Sequence, residues 1–308
     1  MITNLDSQSE LFLANANRLH QQLATAQKQL SSGKRVNVAS EAPDVVSDLL
    51  RLRSILERNN QILTNLGVEK TAGAAADTAL GSSIQLLDRA LTLGVQGANG
   101  TMTAASRLSI GNEVEALQQQ LVNYSQTQSG GWYIFSGDQP GQTSYQLNLA
   151  SANGVDRLIP NQAATRQQEN PAGGTFSISK TAQEIFDNRN PDDTFAADNA
   201  FAALNNLRLA LQNNDQPGIN AAVNSVKLAS DHLNACQAFY GTVQNRIRDA
   251  INFGHSYGGQ IQTEIAQKED ADVVAASLEF SQATVSLQAA FQMQGRVPRT
   301  TLFDFLSR

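Results

Sequence analysis

The chain has 308 residues and a mass of 33.1 kDa, room for one large domain or for two or three smaller ones. Hydrophobic residues make up 41%, enough to fold, whereas aromatics at 6% are scarce for a compact enzyme with an aromatic-lined pocket and suit long helices packed through Leu, Ile, Val and Ala. A net charge of −6 without any Lys/Arg-rich patch argues against nucleic acid as a partner, and one cysteine, Cys236, excludes an internal disulfide, a four-Cys zinc site and a CxxC pair.

The first basic residue is Arg18, and the early apolar run is only Leu11-Phe12-Leu13. A secretory signal needs about 7–15 apolar residues after a basic start, and a membrane helix about 18. The expectation is a chain with no membrane partner, cytosolic or exported without a cleaved signal peptide.

Phe12, Ala16, Leu19, Leu23, Ala26 and Leu30 recur at heptad spacing and predict a helix with one apolar seam over 12–30. Leu49, Leu52, Leu56, Asn59, Leu63 and Leu66 form a second run. Asn59 there is either a polar core residue that fixes register or a solvent-facing site. Leu80, Ile84, Leu87 and Leu91 continue the pattern over 80–91.

From Gly137 to Pro191 the character changes. Gly137-Asp138, Pro140-Gly141, Asn153-Gly154, Gly173-Gly174 and Asn190-Pro191 are turn signals. Tyr145, Leu147 and Leu149 alternate with polar residues, as do Phe176 and Ile178, and predict short strands. Trp132-Tyr133-Ile134-Phe135, ahead of Gly137, marks the boundary of this insert, either as a core plug or as a contact surface. Asp192-Asp193-Thr194 offers caps for a helix from about Phe195.

Ile219, Val223, Val226, Ser230, Leu233, Gln237, Tyr240, Gln244, Ile247 and Ile251 make a seam of more than four heptads over 219–251, polar at three positions. Val273, Ala276, Phe280, Ala283, Leu287 and Ala290 form a last seam, again alternating small with large. Single-seam helices need a partner, so the two ends of the chain are expected to meet each other or copies of themselves.

Motifs that carry chemistry are scarce. His20, His232 and His255 are far apart, outside any HExxH pair, and read as solvated. Cys236 lies in a helical seam and reads as a small buried hydrophobe. No GxSxG elbow appears. Gly33-Lys34 lacks the Ser/Thr and the upstream Gly of a P-loop. Asp270 and Asp272 begin like a calcium loop, but Val274 and Ala275 replace the next ligand and the required Gly. Glu269-Asp270-Asp272 reads instead as an acidic helix start. No catalytic residue, metal or cofactor is expected.

Leu30-Ser31-Ser32-Gly33-Lys34-Arg35-Val36-Asn37 resembles the segment that ends the first helix of bacterial flagellins and of the hook–filament junction family, hook-associated protein 3. Gly241-Thr242-Val243-Gln244-Asn245-Arg246 is similar to the penultimate helix of that superfamily. Glu269-Asp270-Ala271-Asp272, with the helix running to Leu302-Phe303-Asp304-Phe305-Leu306, is similar to its last. Ser40-Glu41-Ala42-Pro43-Asp44, Tyr133-Ile134-Phe135-Ser136-Gly137 and the Leu302–Leu306 ending resemble the junction family more than flagellins. The resemblance covers roughly residues 1–140 and 195–308.

The resemblance implies a structural adapter, not an enzyme, that forms a ring of copies at the hook–filament junction. Its partners would be itself, hook-associated protein 1, flagellin and a cytoplasmic export chaperone; its location would be the extracellular flagellum. In that family the terminal helices pair only when stacked on neighbours. Phe12, Leu19, Leu23 and Leu30, with Phe280, Leu287, Leu302 and Phe303, are then the expected axial contacts. The alternative is flagellin itself, distinguished by copy number and by polymerisation alone. An enzyme carried on a flagellin-like rod and a membrane-acting coiled-coil effector lack their required features.

The expected fold class is mainly α with a small β-rich insert, an elongated rod of long antiparallel coiled-coil or bundle helices formed by both chain ends. The expected segments are an N-terminal coiled-coil helix (1–40), the first rod half (41–137), the insert (138–194), the second rod half (195–268) and a C-terminal coiled-coil helix (269–308).

Overall fold

The computed structural model describes residues 7–160 and 162–296. The predicted contacts Leu302 and Phe303, with the rest of the Leu302–Leu306 motif, lie outside the described residues. The chain is mainly α-helical with a few short strands, as its sequence pattern implies. It divides into two compact units, residues 1–58 with 258–308, and residues 59–257.

The first unit holds α1 (Ser7–Ser32), a single 3-10 turn (Ala39–Glu41), the first part of α2 (Pro43–Gly97), the last part of α6 (Gln216–Glu269) and α7 (Val273–Arg296). α1 and α7 pack antiparallel: Phe12 meets Phe291 edge-on at 6.0 Å between ring centres, and the Ala271 N–H donates to the Gly33 carbonyl at 2.9 Å. Ala16, Ala26, Ala276 and Ala283 are buried on this seam, and Phe12, Leu19, Leu23, Leu30, Phe280 and Leu287 are half-buried between them. Burial is worth about 25 cal/mol per Å², so alanine at every other core position makes a weak pair.

Among the described residues the second unit holds the remainder of α2 and α6, with α3 (Ala104–Ser125), α4 (Ala182–Phe186), α5 (Ala200–Gln212) and six short strands. These strands form three antiparallel hairpins: β1 (Gln128–Ser129) with β2 (Trp132–Tyr133), β3 (Tyr145–Leu147) with β4 (Val155–Arg157), and β5 (Gln167–Glu169) with β6 (Thr175–Ser177). Gly130-Gly131 and Gly173-Gly174 all have positive φ and close two of them. The core gathers Leu80, Leu87, Leu121, Leu204, Val226 and Leu233. Much of the chain's aromatic content is spent where hairpins and helices meet: Phe135 packs edge-on against Phe186 at 5.7 Å and Tyr240 at 6.2 Å, and Tyr145 against Phe201 at 5.1 Å.

Three details differ from the sequence expectation. The runs over 49–66 and 80–91 belong to one 55-residue helix, α2, because nothing in the intervening Ala-rich stretch breaks it. No helix starts near Phe195. Asp192-Asp193-Thr194 instead forms a turn with Asp193 at φ 62°, where Thr194 donates backbone N–H and hydroxyl to Asp192, and α5 waits for Asn199, whose side chain accepts from the Ala202 N–H at 2.9 Å. Glu269 does not start the last helix but ends α6. Asp272 alone caps α7, accepting the Val274 and Ala275 N–H groups, each at 3.0 Å.

Asn59 lies in the core. Its side-chain amide donates to the Gly254 carbonyl at 2.9 Å, while its own oxygen is buried without a partner. Of the polar seam residues on α6, Gln237 donates to Asp77 at 3.0 Å and Gln244 to the Gly73 carbonyl at 3.2 Å. These bonds fix α2 against α6 within this unit.

Candidate assembly surface and motif clasp

α7 is apolar on two sides. One side carries Ala276, Phe280, Ala283, Leu287 and Ala290 and faces α1. Roughly 150° around the helix, at 100° per residue, Val274, Leu278, Val285, Ala289 and Met293 form a second stripe. There Val274 is 79% exposed, Leu278 69%, Val285 62% and Met293 72%. An exposed stripe of this regularity differs from scattered surface apolar residues and marks a surface built to be covered. The predicted contacts Phe12, Leu19, Leu23, Leu30, Phe280 and Leu287 thus sit on the face shared by α1 and α7 within the chain, and the open surface is a different row. Sequence reading missed it because the inner seam at 273–290 absorbed the periodicity. The offsets 274, 278, 285, 289, 293 were the available signal.

The Leu30–Asn37 motif forms a clasp. Leu30, Ser31 and Ser32 finish α1. Gly33, at φ 69°, donates its N–H to the Gln29 carbonyl at 2.8 Å and turns the chain out of the helix. Lys34 then bridges to Asp270 as a two-residue antiparallel contact: the Arg35 N–H donates to the Glu269 carbonyl at 2.7 Å and the Ala271 N–H to the Gly33 carbonyl. The Arg35 guanidinium donates to the Lys268 carbonyl at 2.8 Å, a cation at the end of α6 where the helix dipole favours one. Asn37 donates from its side chain to the Lys34 carbonyl at 2.8 Å, and Val36 lines a small cavity of about 230 Å³ beside Arg53 and Glu269.

The Glu269 carboxylate is buried between Lys34 and Arg53, whose guanidinium donates to it at 2.5 Å. The Lys34 ammonium foremost, with Arg53, holds this carboxyl below the usual carboxylate range against the opposing effect of burial. Nearby, Lys28 donates to Glu41 at 2.8 Å, and Glu41 also accepts the Asn37 and Val38 N–H groups; together these push its pKa down to about 2.

The aromatic run at the insert boundary splits between two roles. Phe135 and Ile134 are core, Tyr133 is half-buried, and Trp132 is 60% exposed over an open, mainly apolar cavity of about 570 Å³ lined also by Val68, Pro140 and Arg166. Gly137, at φ 60°, lies so close to Ala163 that a Cβ built there would come within 2.5 Å of its carbonyl oxygen. Behind this boundary Asp187 is fully buried. It accepts from the Tyr145 hydroxyl at 3.0 Å, from Asn153 at 3.1 Å, from Asn199 at 2.8 Å and from Arg189 at 2.9 Å. A buried charge with this many donors is a staple.

With this geometry the similarities to known proteins are specific. Residues 3–139 match the bacterial flagellin N-terminal helical region and residues 223–306 match the C-terminal helical region, together more than half of the chain. The chain belongs to the bacterial flagellin family. Among its relatives, flagellar hook-associated protein 3 of Escherichia coli K12 is 24% identical over 290 residues, 87% of this chain and 89% of that protein. Polar flagellin B/D of Vibrio parahaemolyticus is 25% identical over 280 residues, 84% of this chain but 69% of that flagellin. The solved structure of a putative flagellar hook-associated protein from Vibrio parahaemolyticus shares the fold at a TM-score of 0.63 and 18% identity, covering 75% of this chain and all of that one.

This member of the flagellin family also brings a thiol near an imidazole, at i, i+4 on α6. His232 is only partly exposed: its Nδ1 lies 3.1 Å from Asp198 and its Nε2 2.8 Å from the Glu184 carbonyl oxygen. Cys236 lies one turn on, its sulfur 3.6 Å from Nε2. Burial pushes the thiol up to about 11, so it is protonated at neutral pH and is no thiolate nucleophile. His20 and His255 are exposed. Among the described residues no group of His, Cys, Asp or Glu could hold a metal ion, and no helix is long and apolar enough to cross a membrane.

Proposed function

We propose that this chain is a structural adapter of the bacterial flagellum, assembled as a ring of copies at the hook–filament junction, between hook-associated protein 1 and the first flagellin subunits. The observation that carries the reading is the second apolar stripe of α7. A weak, alanine-rich pair of terminal helices keeps a further apolar face uncovered, and a neighbouring copy's terminal helices would cover it. The axial contacts are therefore divided: Phe12, Leu19, Leu23, Leu30, Phe280 and Leu287 hold α1 to α7, and Val274, Leu278, Val285 and Met293 meet the neighbour.

The adapter reading is favoured over flagellin by length. The chain spans 89% of a hook-associated protein 3 but 69% of a flagellin that it resembles along a similar share of its own sequence. The protein acts by contact and is not an enzyme. It works outside the cell on the flagellum, with an export chaperone as a transient partner before assembly. The segments 1–40, 41–137, 138–194, 195–268 and 269–308 serve as N-terminal helix, rod, outer insert, rod and C-terminal helix of that assembly.

Quantifying this chain in purified flagella tests the reading. An adapter is present in a small fixed number per flagellum and does not form filaments alone when purified. A copy number that scales with filament length, or filaments grown from the pure protein, would make it a flagellin.

A further inference from the structure

The sequence holds two Asn-Gly pairs, and the fold treats them in opposite ways. Asn153-Gly154 is buried. Its side-chain amide donates to Asp187 at 3.1 Å, its carbonyl accepts from Gln118 at 3.0 Å, and the Gly154 N–H donates to the Ser151 carbonyl at 2.9 Å. Asn99-Gly100 lies exposed in the turn between α2 and α3. The Asn99 side-chain oxygen accepts the Thr101 N–H at 3.1 Å and the Thr101 hydroxyl at 3.0 Å, whereas its side-chain nitrogen and the Gly100 N–H meet no chain acceptor among the described residues.

Such a pair carries a reaction of its own. The Gly100 nitrogen gives up its proton and bonds to the Asn99 side-chain carbon, the bond from that carbon to the side-chain nitrogen breaks, and ammonia leaves with the proton. Water then opens the five-membered imide at either carbonyl, leaving aspartate or isoaspartate at position 99. Glycine has no Cβ to shield the attacking nitrogen. The two Thr101 donors sit on the oxygen that gathers negative charge during the attack. At Asn153 the same attack must first break the bonds to Asp187 and Ser151 inside the unit, so it waits for local unfolding.

We propose that Asn99 is a site of spontaneous deamidation, with water as the only co-reactant, and that the isoaspartate form opens the turn between α2 and α3. That turn is closed by the Met102 N–H, which donates to the Asn99 backbone carbonyl at 3.0 Å. Isoaspartate routes the main chain through the side-chain carbon, one atom longer, and turns the former backbone carbonyl into a free carboxylate. The Arg107 guanidinium already donates to that oxygen at 3.0 Å, so charge pairing favours the product. The site stands whether or not the chain is a flagellar adapter.

Ageing the purified full-length chain at pH 6 and pH 8, followed by peptide mapping that separates asparagine, aspartate and isoaspartate, tests it. In the folded chain Asn99 should convert to a mixture of aspartate and isoaspartate, faster at pH 8 because the attacking nitrogen must lose its proton. Asn153 should convert at least about tenfold more slowly, since its reaction needs local opening. In urea the two rates should become similar. Gly100 has no positive φ, and a Cβ there meets only the Gln216 amide nitrogen at 3.8 Å, so Gly100→Ala keeps the fold and should slow the reaction at Asn99 several-fold. Amide exchange at Met102 should be faster in the aged chain than in the fresh one and unchanged by ageing in Gly100→Ala. An Asn99 that stays intact in the folded chain while reacting in urea, a folded Asn153 that reacts as fast, or aspartate without isoaspartate overturns the site. Unchanged Met102 exchange in the isoaspartate form overturns the opening of the turn.

Discussion

At Gly33 and Gly137 the same backbone requirement has different consequences. Both residues adopt positive φ, but a Cβ at Gly33 meets nothing within 4 Å, whereas one at Gly137 runs into the Ala163 carbonyl. Gly33→Ala should therefore cost roughly 1 kcal/mol, the left-handed penalty alone. Gly137→Ala should cost roughly 2–4 kcal/mol by adding a backbone clash. Urea unfolding followed by the single tryptophan, Trp132, beside Gly137, and by helical circular dichroism for the Gly33 variant, measures both; equal costs would contradict the geometry. Glu269 sets a pH dependence. Its carboxyl is held low in the folded chain, chiefly by Lys34. Its contribution is thus fully present above the unfolded carboxylate value of about 4.3 and is lost as pH falls through the folded value. Amide-exchange protection at Ala271, expressed against the free-peptide rate at each pH, should hold from pH 7 to 5 and fall below about pH 4. Protection that rises in acid would exclude the ion cluster as its source.

Elements were legible where one periodicity dominated. The seams on α1, α6 and α7 could be read directly, because each helix buries one row. The unbroken length of α2 could not, since its middle is rich in alanine and small residues that favour helix without marking a face. The start of α5 was misplaced because Asp192-Asp193-Thr194 and Asn199 are all competent caps. The chain uses the first group to tie its own turn, with Arg157 and Arg189 paired to Asp193. The outer row of α7 separates the two apolar faces experimentally. Val285→Asp, on the open row, should leave helix content unchanged and abolish self-association in sedimentation. Leu287→Asp should loosen the α1–α7 pair by roughly 1–3 kcal/mol while leaving the unit of residues 59–257 folded. Loss of folding in Val285→Asp would mean that the row is internal. Within α2, Asn59 keeps a buried oxygen without a partner. Asn59→Leu should raise thermal stability by roughly 1 kcal/mol, because a polar core residue is removed; a drop would show that its bond to Gly254 outweighs that oxygen.

For the whole molecule, the fold class followed from the helical periods at both ends and the Gly/Pro punctuation between them. The sites were less legible. Leu30–Asn37 could be recognised as a motif, but its work depends on Glu269, more than two hundred residues away, and no local pattern announces that meeting. A shorter separation, 48 residues for Glu184, hid His232 from Asp198 and Glu184, so a histidine that reads as solvated has a chain oxygen beside each ring nitrogen. The central claim, that this flagellin-family chain is the adapter between hook and filament, is tested most directly by immunogold electron microscopy with an antibody to residues 138–194. The account predicts gold in a narrow band where hook meets filament. Gold along the whole filament would make the chain a flagellin, and flagella without gold would contradict the assembly role altogether.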